Sequence, residues 1–291
     1  FADAMHYNDT IALVGDAALT LERLNDLLDE GTGEFGPFSV KDDVQEDSPW
    51  LQACRKRKEE WDDFKRVRYS QETLFDEKFG RDLLTQPAAI HAAASWAQAG
   101  KVVSFFDAGD VQANGFQIVE DDSPLTFTDT GASYMGFAVS ALLSTAVAKK
   151  PFYGLAFTGD GSFMMNPQIL IDGAEHGAKG TILLLDNRRM AAISALQGAQ
   201  YGQEFATDDH VEVDYVAMAK AFTVVQSFHG GYCRESLVQA LDAARTHDGL
   251  SLVYVPVYYG DNPLGGLGAW GRWNVGNWVD ATQELRHKTG L

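Results

Sequence analysis

Phe152-Tyr153-Gly154-Leu155-Ala156-Phe157-Thr158-Gly159-Asp160-Gly161-Ser162, followed 27 residues after Asp160 by Asn187, decides how this chain folds. The apolar run 152–157 reads as a buried strand that ends at Asp160, and a second run, 181–185, ends at Asp186-Asn187. Between them, residues 166–177 read as a helix, which makes the unit strand, crossover helix, parallel strand. Parallel strands deliver their carboxyl ends to one edge of a sheet, where α/β folds bind ligands. Asp160 and Asn187 are therefore expected side by side. Both offer oxygen, which suits Mg²⁺ or Ca²⁺ at roughly 2.0–2.6 Å. Gly161 lets the backbone approach a phosphate closely, and amides near a helix start favour an anion.

From Pro87 onward the same alternation continues. Helices are expected over 87–99, 133–148, 213–222 and 235–246. Strands are expected over 102–106 and 252–258, with another near 224–228. The fold class is thus a doubly wound parallel α/β sheet with helices on both faces.

Gly159-Asp160-Gly161-Ser162 with Asp186-Asn187 at this spacing resembles the fingerprint of thiamine diphosphate (ThDP)-dependent enzymes. Three further segments fit the resemblance. Val102 to Phe106 running into Asp107-Ala108-Gly109-Asp110-Val111-Gln112 is similar to the first strand and loop of the pyrophosphate-binding domain. It implies contacts to the diphosphate from Gly109, Asp110 and Gln112. Gly159, Gly161, Ser162 and Met190 join the implied cofactor-binding set. Thr130 to Phe137 resembles the segment that grips the aminopyrimidine ring. There Met135 would wedge between the two rings, an apolar and polarizable residue suited to the task, and the Ser133 carbonyl would accept from the amino group. The resemblance implies metal ligation by Asp160, by Asn187 and by the backbone carbonyl of Arg189, with Mg²⁺ as the ion and Ca²⁺ or Mn²⁺ as substitutes. Glycine is usual at position 189, but any residue supplies the carbonyl. Without the resemblance, the Arg188-Arg189 pair reads as solvated or carboxylate-paired surface.

Within these enzymes the chain looks most like trihydroxycyclohexanedione hydrolases and cyclohexane-1,2-dione hydrolase, in the acetolactate synthase-like superfamily. The residues that carry this are Met164-Met165-Asn166-Pro167, Asp186-Asn187, Ile193-Ser194 with Leu196-Gln197, Tyr201 to Phe205, and Gly268-Ala269-Trp270. Gln197, Glu204 and Trp270 are implied substrate contacts, against an equal reading as packing or capping. The implied activity is ThDP- and Mg²⁺-dependent C–C bond cleavage, by hydrolytic ring opening of a cyclic 1,2-dione. Two alternatives stand beside it: an acetolactate synthase or 2-oxo acid decarboxylase, and a non-catalytic structural subunit of a ThDP-enzyme complex. In the family, a glutamate on a pyrimidine-binding domain completes the site across a subunit interface. None of the 41 acidic residues here matches it. That domain is expected on a partner chain or a further N-terminal region, in an oligomer of two or four active-site halves.

The resemblance divides the 291 residues into four parts. Residues 1–31, with a strand near 10–14 and a helix near 19–28, look like the tail of a central α/β domain. Residues 32–70 form a linker and a helix capped by Ser48-Pro49, with a solvated charge run over 55–60. The pyrophosphate- and metal-binding domain spans 71–260, and 261–291 form a loop or lid. A net charge of −18 argues against nucleic acid and against an anionic membrane as partners. Cys54 and Cys233 form no metal or redox motif, which suits reduced thiols in a cytoplasmic protein. His91, His176, His229 and His247 read as packed or surface residues.

Overall fold

The structure, a computed structural model, describes residues 13–30, 48–120, 125–129, 134–258 and 260. The chain divides into two compact units, Phe1–Trp61 and Asp62–Leu291.

The first unit contains helix α1 (Ala17–Glu30) and the start of α2 (Pro49–Ser70). Asp16 caps α1 by accepting from the Leu19 amide at 3.0 Å, and Ser48 caps α2 by accepting from Leu51 at 3.2 Å. No residue of α1 is buried, so Leu19, Leu21 and Leu28 stay exposed. The 55–60 charge run is exposed as read. Leu13 and Val14 are not in a strand, and 10–12 lie outside the described residues.

The second unit opens with an antiparallel hairpin of β1 (Thr73–Asp76) and β2 (Arg81–Leu84). Next come α3 (Gln86–Ala99), β3 (Val103–Phe106), α4 (Asp110–Ile118), β4 (Thr126–Thr128), α5 (Phe137–Ala141) and α6 (Ser144–Val147). Strand β5 (Gly154–Gly159) leads through the single turn α7 (Asp160–Phe163) and α8 (Ile169–Glu175) into β6 (Gly180–Asp186). The remainder is α9 (Ala191–Tyr201), α10 (Tyr215–Lys220), β7 (Gln226–His229), α11 (Arg234–Arg245) and β8 (Leu250–Pro256). The main sheet runs β4-β3-β5-β6-β8-β7, every pair parallel.

Alternate residues of the central strands face opposite layers, as the two-residue period of a strand requires. Phe106, Leu155, Phe157, Leu183, Leu185 and Val253 pack with the alanine face of α3 and with Leu237 and Leu241 of α11. Phe105, Ala156, Ile182, Leu184 and Leu252 pack against α5, α8 and α10. Each leucine so buried is worth about 1.5–3 kcal/mol. Helix α3 starts where Thr85 accepts from the Ala88 amide, with Pro87 in its first turn. The hairpin joins the main sheet through a parallel bridge, Leu84 to Val257, and Tyr258 N–H donates to Leu84 O at 2.8 Å. That bridge brings Gln86 to the carboxyl edge of the sheet.

The helix expected over 133–148 is two short helices. Gly136 has φ +89°, so helical backbone begins only at Phe137, and residues 130–133 lie outside the described set. At Leu142-Leu143 the bonding tightens to i→i−3 pairs. The Ser144 and Thr145 hydroxyls donate to the Ala141 and Leu142 carbonyls there, the local competition that interrupts helices. The break lets Leu142 lie across the amino ends of β5 and β6, where Gly154 and Gly180 are register partners. A Cβ on Gly180 would sit 2.5 Å from the Gly154 carbonyl oxygen and 2.9 Å from Leu142.

Helices α4 and α9 were not expected from the sequence. Gly180→Ala should lower stability by about 1–3 kcal/mol, since the obstacle is backbone of the neighbouring strand. Urea unfolding of the variant against wild type measures this.

Candidate functional site

Register pairs Gly159 with Leu185, so Asp160 and Asp186 leave adjacent strands side by side. Strand β3 ends beside them in Asp107-Ala108-Gly109-Asp110. Of the residues singled out from the sequence, Gly109, Asp110, Met135, Gly159, Asp160, Gly161, Ser162, Arg189 and Met190 line one cavity of about 240 Å³. Asn187 is buried behind it. Its Nδ2 donates to Asp110 Oδ2 at 3.0 Å, and its Oδ1 accepts from Arg189 N at 3.1 Å. Gly161 lies between two methionines: an added Cβ would meet Met190 Sδ at 3.0 Å and Met135 Cε at 3.5 Å. Gly109, at φ +85°, caps α4 without a side chain, which leaves main chain facing the cavity.

Gln112 is not among the residues that line this cavity. Gln112 is buried on α4, with its Nε2 donating to Thr128 Oγ1 at 2.6 Å and to Asp129 O at 2.7 Å, so its amide braces β4. Ser133 lies outside the described residues, as do Trp270 and the whole of 261–291. Gln197 bonds the main chain of Phe205 through both of its amide atoms. Glu204 pairs with Arg189, whose side chain also reaches Ser194 Oγ at 2.9 Å. The Arg189 side chain is thus paired, as read. Its carbonyl accepts from Ala191 N at 2.9 Å and retains a second lone pair. His229 Nδ1 accepts from Gly231 N within a turn.

Asp107 belongs to the loop singled out in the sequence, where nothing assigns it a role, and it organises this edge. It is fully buried. Its Oδ1 accepts from the amides of Ala108 (3.0 Å), Gly136 (2.8 Å) and Phe137 (3.1 Å), and its Oδ2 accepts from Thr158 Oγ1 (2.8 Å). The chain just after Met135 is thereby fastened to β3 and β5. Burial pushes the Asp107 carboxyl up, and these donors oppose the shift.

Burial, and after it carboxylate crowding, sets the electrostatics. Burial, followed by the charges of Asp186, Asp110 and Asp209, pushes Asp160 up to about 8. Burial also raises Asp186, eased by the Tyr254 hydroxyl at 3.0 Å and the Arg188 amide at 3.0 Å. Burial raises Asp110, eased by Gln86 and Asn187. Tyr215 and Tyr254 are raised too, by burial first and then by neighbouring charges. Asp160, Asp186, Tyr215 and Tyr254 border a second cavity of about 330 Å³, which shares Asp160, Gly161 and Met190 with the first.

Among the described residues, no three His, Cys, Asp or Glu side chains form a metal cluster by themselves. The available set is mixed: a carboxylate under repulsion at Asp160, an amide oxygen at Asn187 and a main-chain carbonyl at Arg189. That is hard-oxygen chemistry, and it fits a divalent cation. The glycine-lined wall fits a phosphate that needs close backbone approach. No helix among the described residues is long and apolar enough to cross a membrane.

Residues 107–255 match the family described as thiamine pyrophosphate enzyme, C-terminal TPP binding domain. The chain is 27% identical over 279 residues to the 3D-(3,5/4)-trihydroxycyclohexane-1,2-dione hydrolase of Bacillus velezensis. The alignment covers 92% of this chain and 43% of that protein, so the chain spans under half the length of this relative. It is 30% identical over 158 residues to the acetolactate synthase isozyme 2 large subunit of Escherichia coli, covering 52% of this chain and 28% of the relative. Benzoylformate decarboxylase from Polynucleobacter necessarius shares the fold, with a TM-score of 0.55 at 17% identity over 62% of this chain and 34% of that one.

Asp107→Ala leaves several buried donors without an acceptor and should destabilise the protein by about 3 kcal/mol or more, read by chemical denaturation. Asp160 sets a pH dependence. Its carboxyl is raised in the folded metal-free protein, so the stability it contributes is full below the unfolded carboxylate value and is lost as pH rises from about 4 to about 8. Thermal melts in chelator should show this decline in wild type and a flatter profile in Asp160→Asn.

Proposed function

Because this chain belongs to the thiamine pyrophosphate enzymes through their C-terminal TPP-binding domain, we propose that it holds ThDP through a divalent cation, Mg²⁺ in first place, in a C–C bond-cleaving enzyme. The observation that carries this is the single cavity lined by Gly109, Met135, Asp160 and Gly161, with Asn187 immediately behind it. In this reading Asp160, the Asn187 amide oxygen and the Arg189 carbonyl hold the cation. Gly109, Gly161 and Ser162 lie against the diphosphate. Met135, just before the Gly136 and Phe137 amides that Asp107 holds, would pack against the cofactor. Bound ThDP supplies a carbanion-stabilising centre, and the protein supplies position and field. Asp160 gives up its proton when a cation binds, so uptake should tighten as pH rises toward about 8.

The proposed reaction is hydrolytic ring opening of a cyclic 1,2-dione. It is supported by the similarity to trihydroxycyclohexanedione hydrolases along 92% of this chain. A pyrimidine-binding domain carrying the glutamate is proposed as the partner, in an oligomer whose sites span subunits, and the cytoplasm as the location. Acetolactate synthesis is the second reading, supported by the acetolactate synthase relative.

In the intact protein, Asp160→Ala should abolish metal-dependent ThDP retention, measured by calorimetry with and without Mg²⁺. Unchanged affinity would mean that the cofactor sits elsewhere. Product analysis separates the two reactions: ring-opened acid from a cyclic 1,2-dione supports the first, and acetolactate with CO₂ from pyruvate supports the second.

A further inference from the structure

Asn187 stands at the end of a line of buried side chains that begins on α2. Arg68 Nη2 donates to Asn114 Oδ1 at 2.7 Å, and Asn114 Nδ2 donates to Gln86 Oε1. Gln86 Nε2 donates to Asp110 Oδ2 at 2.8 Å, the same oxygen that receives Asn187 Nδ2. Arg68, Asn114, Gln86 and Asn187 are only 2%, 3%, 6% and 6% exposed, so water does not compete for these bonds. Five residues from four separate stretches of sequence meet here, which is costly to assemble without a purpose.

The two ends of the line fix its direction. A guanidinium only donates, and Asp110 Oδ2 accepts from both amide nitrogens that reach it. Facing Arg68, Asn114 must present its oxygen, which turns its nitrogen to Gln86. Gln86 must then accept with oxygen and donate to Asp110 with nitrogen. Asp110 in turn demands nitrogen from Asn187. The Asn187 oxygen is thereby turned away from Asp110, toward the Arg189 main chain at the cavity wall. An amide flipped the other way would aim its NH₂ at the cation site, where it ligates nothing.

We propose that Arg68, Asn114, Gln86 and Asp110 are positioning residues that act together to hold the Asn187 amide oxygen toward the cation. This rests on the cation reading of the site given above. Outer contacts that orient a metal ligand carry about 10- to 100-fold in affinity when lost. A carboxylate at position 187 would present oxygen whichever way it turned, so it needs no such orientation.

The test uses Mn²⁺ as probe, with ThDP present, in the intact protein, and free Mn²⁺ is read by electron paramagnetic resonance. Gln86→Met, close in shape but without polar atoms, should weaken Mn²⁺ binding about tenfold or more, and Arg68→Met at the far end should act in the same direction. In an Asn187→Asp background the same Gln86→Met change should cost less than about twofold. Wild-type affinity in both Gln86→Met and Arg68→Met overturns the inference. So does an equal loss from Gln86→Met in the wild-type and Asn187→Asp backgrounds, because the line would then serve structure alone. In both of these cases the cation reading survives. A wild-type protein that takes up neither Mn²⁺ nor ThDP overturns the cation reading, and the inference with it.

Discussion

Burying several carboxyls at one edge of a parallel sheet is the constraint on which this structure turns. Strands β3, β5 and β6 all end at that edge, and each ends in or runs into aspartate: Asp107, Asp160 and Asp186, with Asp110 close by. Buried like charges oppose ionisation, and each position meets the difficulty with different partners. Asp107 collects four donors. Asp186 has the Tyr254 hydroxyl and the Arg188 amide, and Asp110 has the amides of Gln86 and Asn187. Asp160 has the Gly161 amide to set against the charges of Asp186, Asp110 and Asp209. Burial and these charges push its carboxyl up to about 8, and a cation beside it would relieve that repulsion in the proposed reading.

The sheet was legible because its strands are short apolar runs with polar ends, and because Asp160 and Asn187 announce where those runs stop. The runs at 152–157 and 181–185 became β5 and β6, and the cavity gathered most of the singled-out residues. Helices α4 and α9 were hidden for different reasons. Helix α4 begins with Asp-Val-Gln directly after a glycine at φ +85° and carries Gly115 inside it, so its start reads as loop. Helix α9 carries mixed small and polar residues with a weak apolar stripe, and its cap, Met190, has no capping side chain.

The contacts that matter most at the site join residues far apart in sequence, and local pattern says nothing of them. Gln86 meets Asp110 only because the hairpin docks through the bridge from Leu84 to Val257. Arg68 sits in a helix whose earlier turns are a solvated charge run, yet it is almost wholly buried, a reversal within one element that composition conceals. Gln112 likewise has distant partners. Its Nε2 donates to Thr128 and Asp129, which sequence position alone does not announce.

The loop from Asp107 to Asp110 links these observations. Asp107 holds the chain beyond Met135, and Asp110 holds Asn187. Two aspartates three residues apart hold two different segments because the chain turns between them at Gly109, whose positive φ a side chain would strain. Met135 and the proposed cation ligand Asn187 are therefore both set from a single turn at the end of a single strand. Rigid packing of β3 between β4 and β5 fixes where that turn begins. A shift of this strand would move both contacts together and preserve their spacing, which is what positioning in the proposed cofactor site requires.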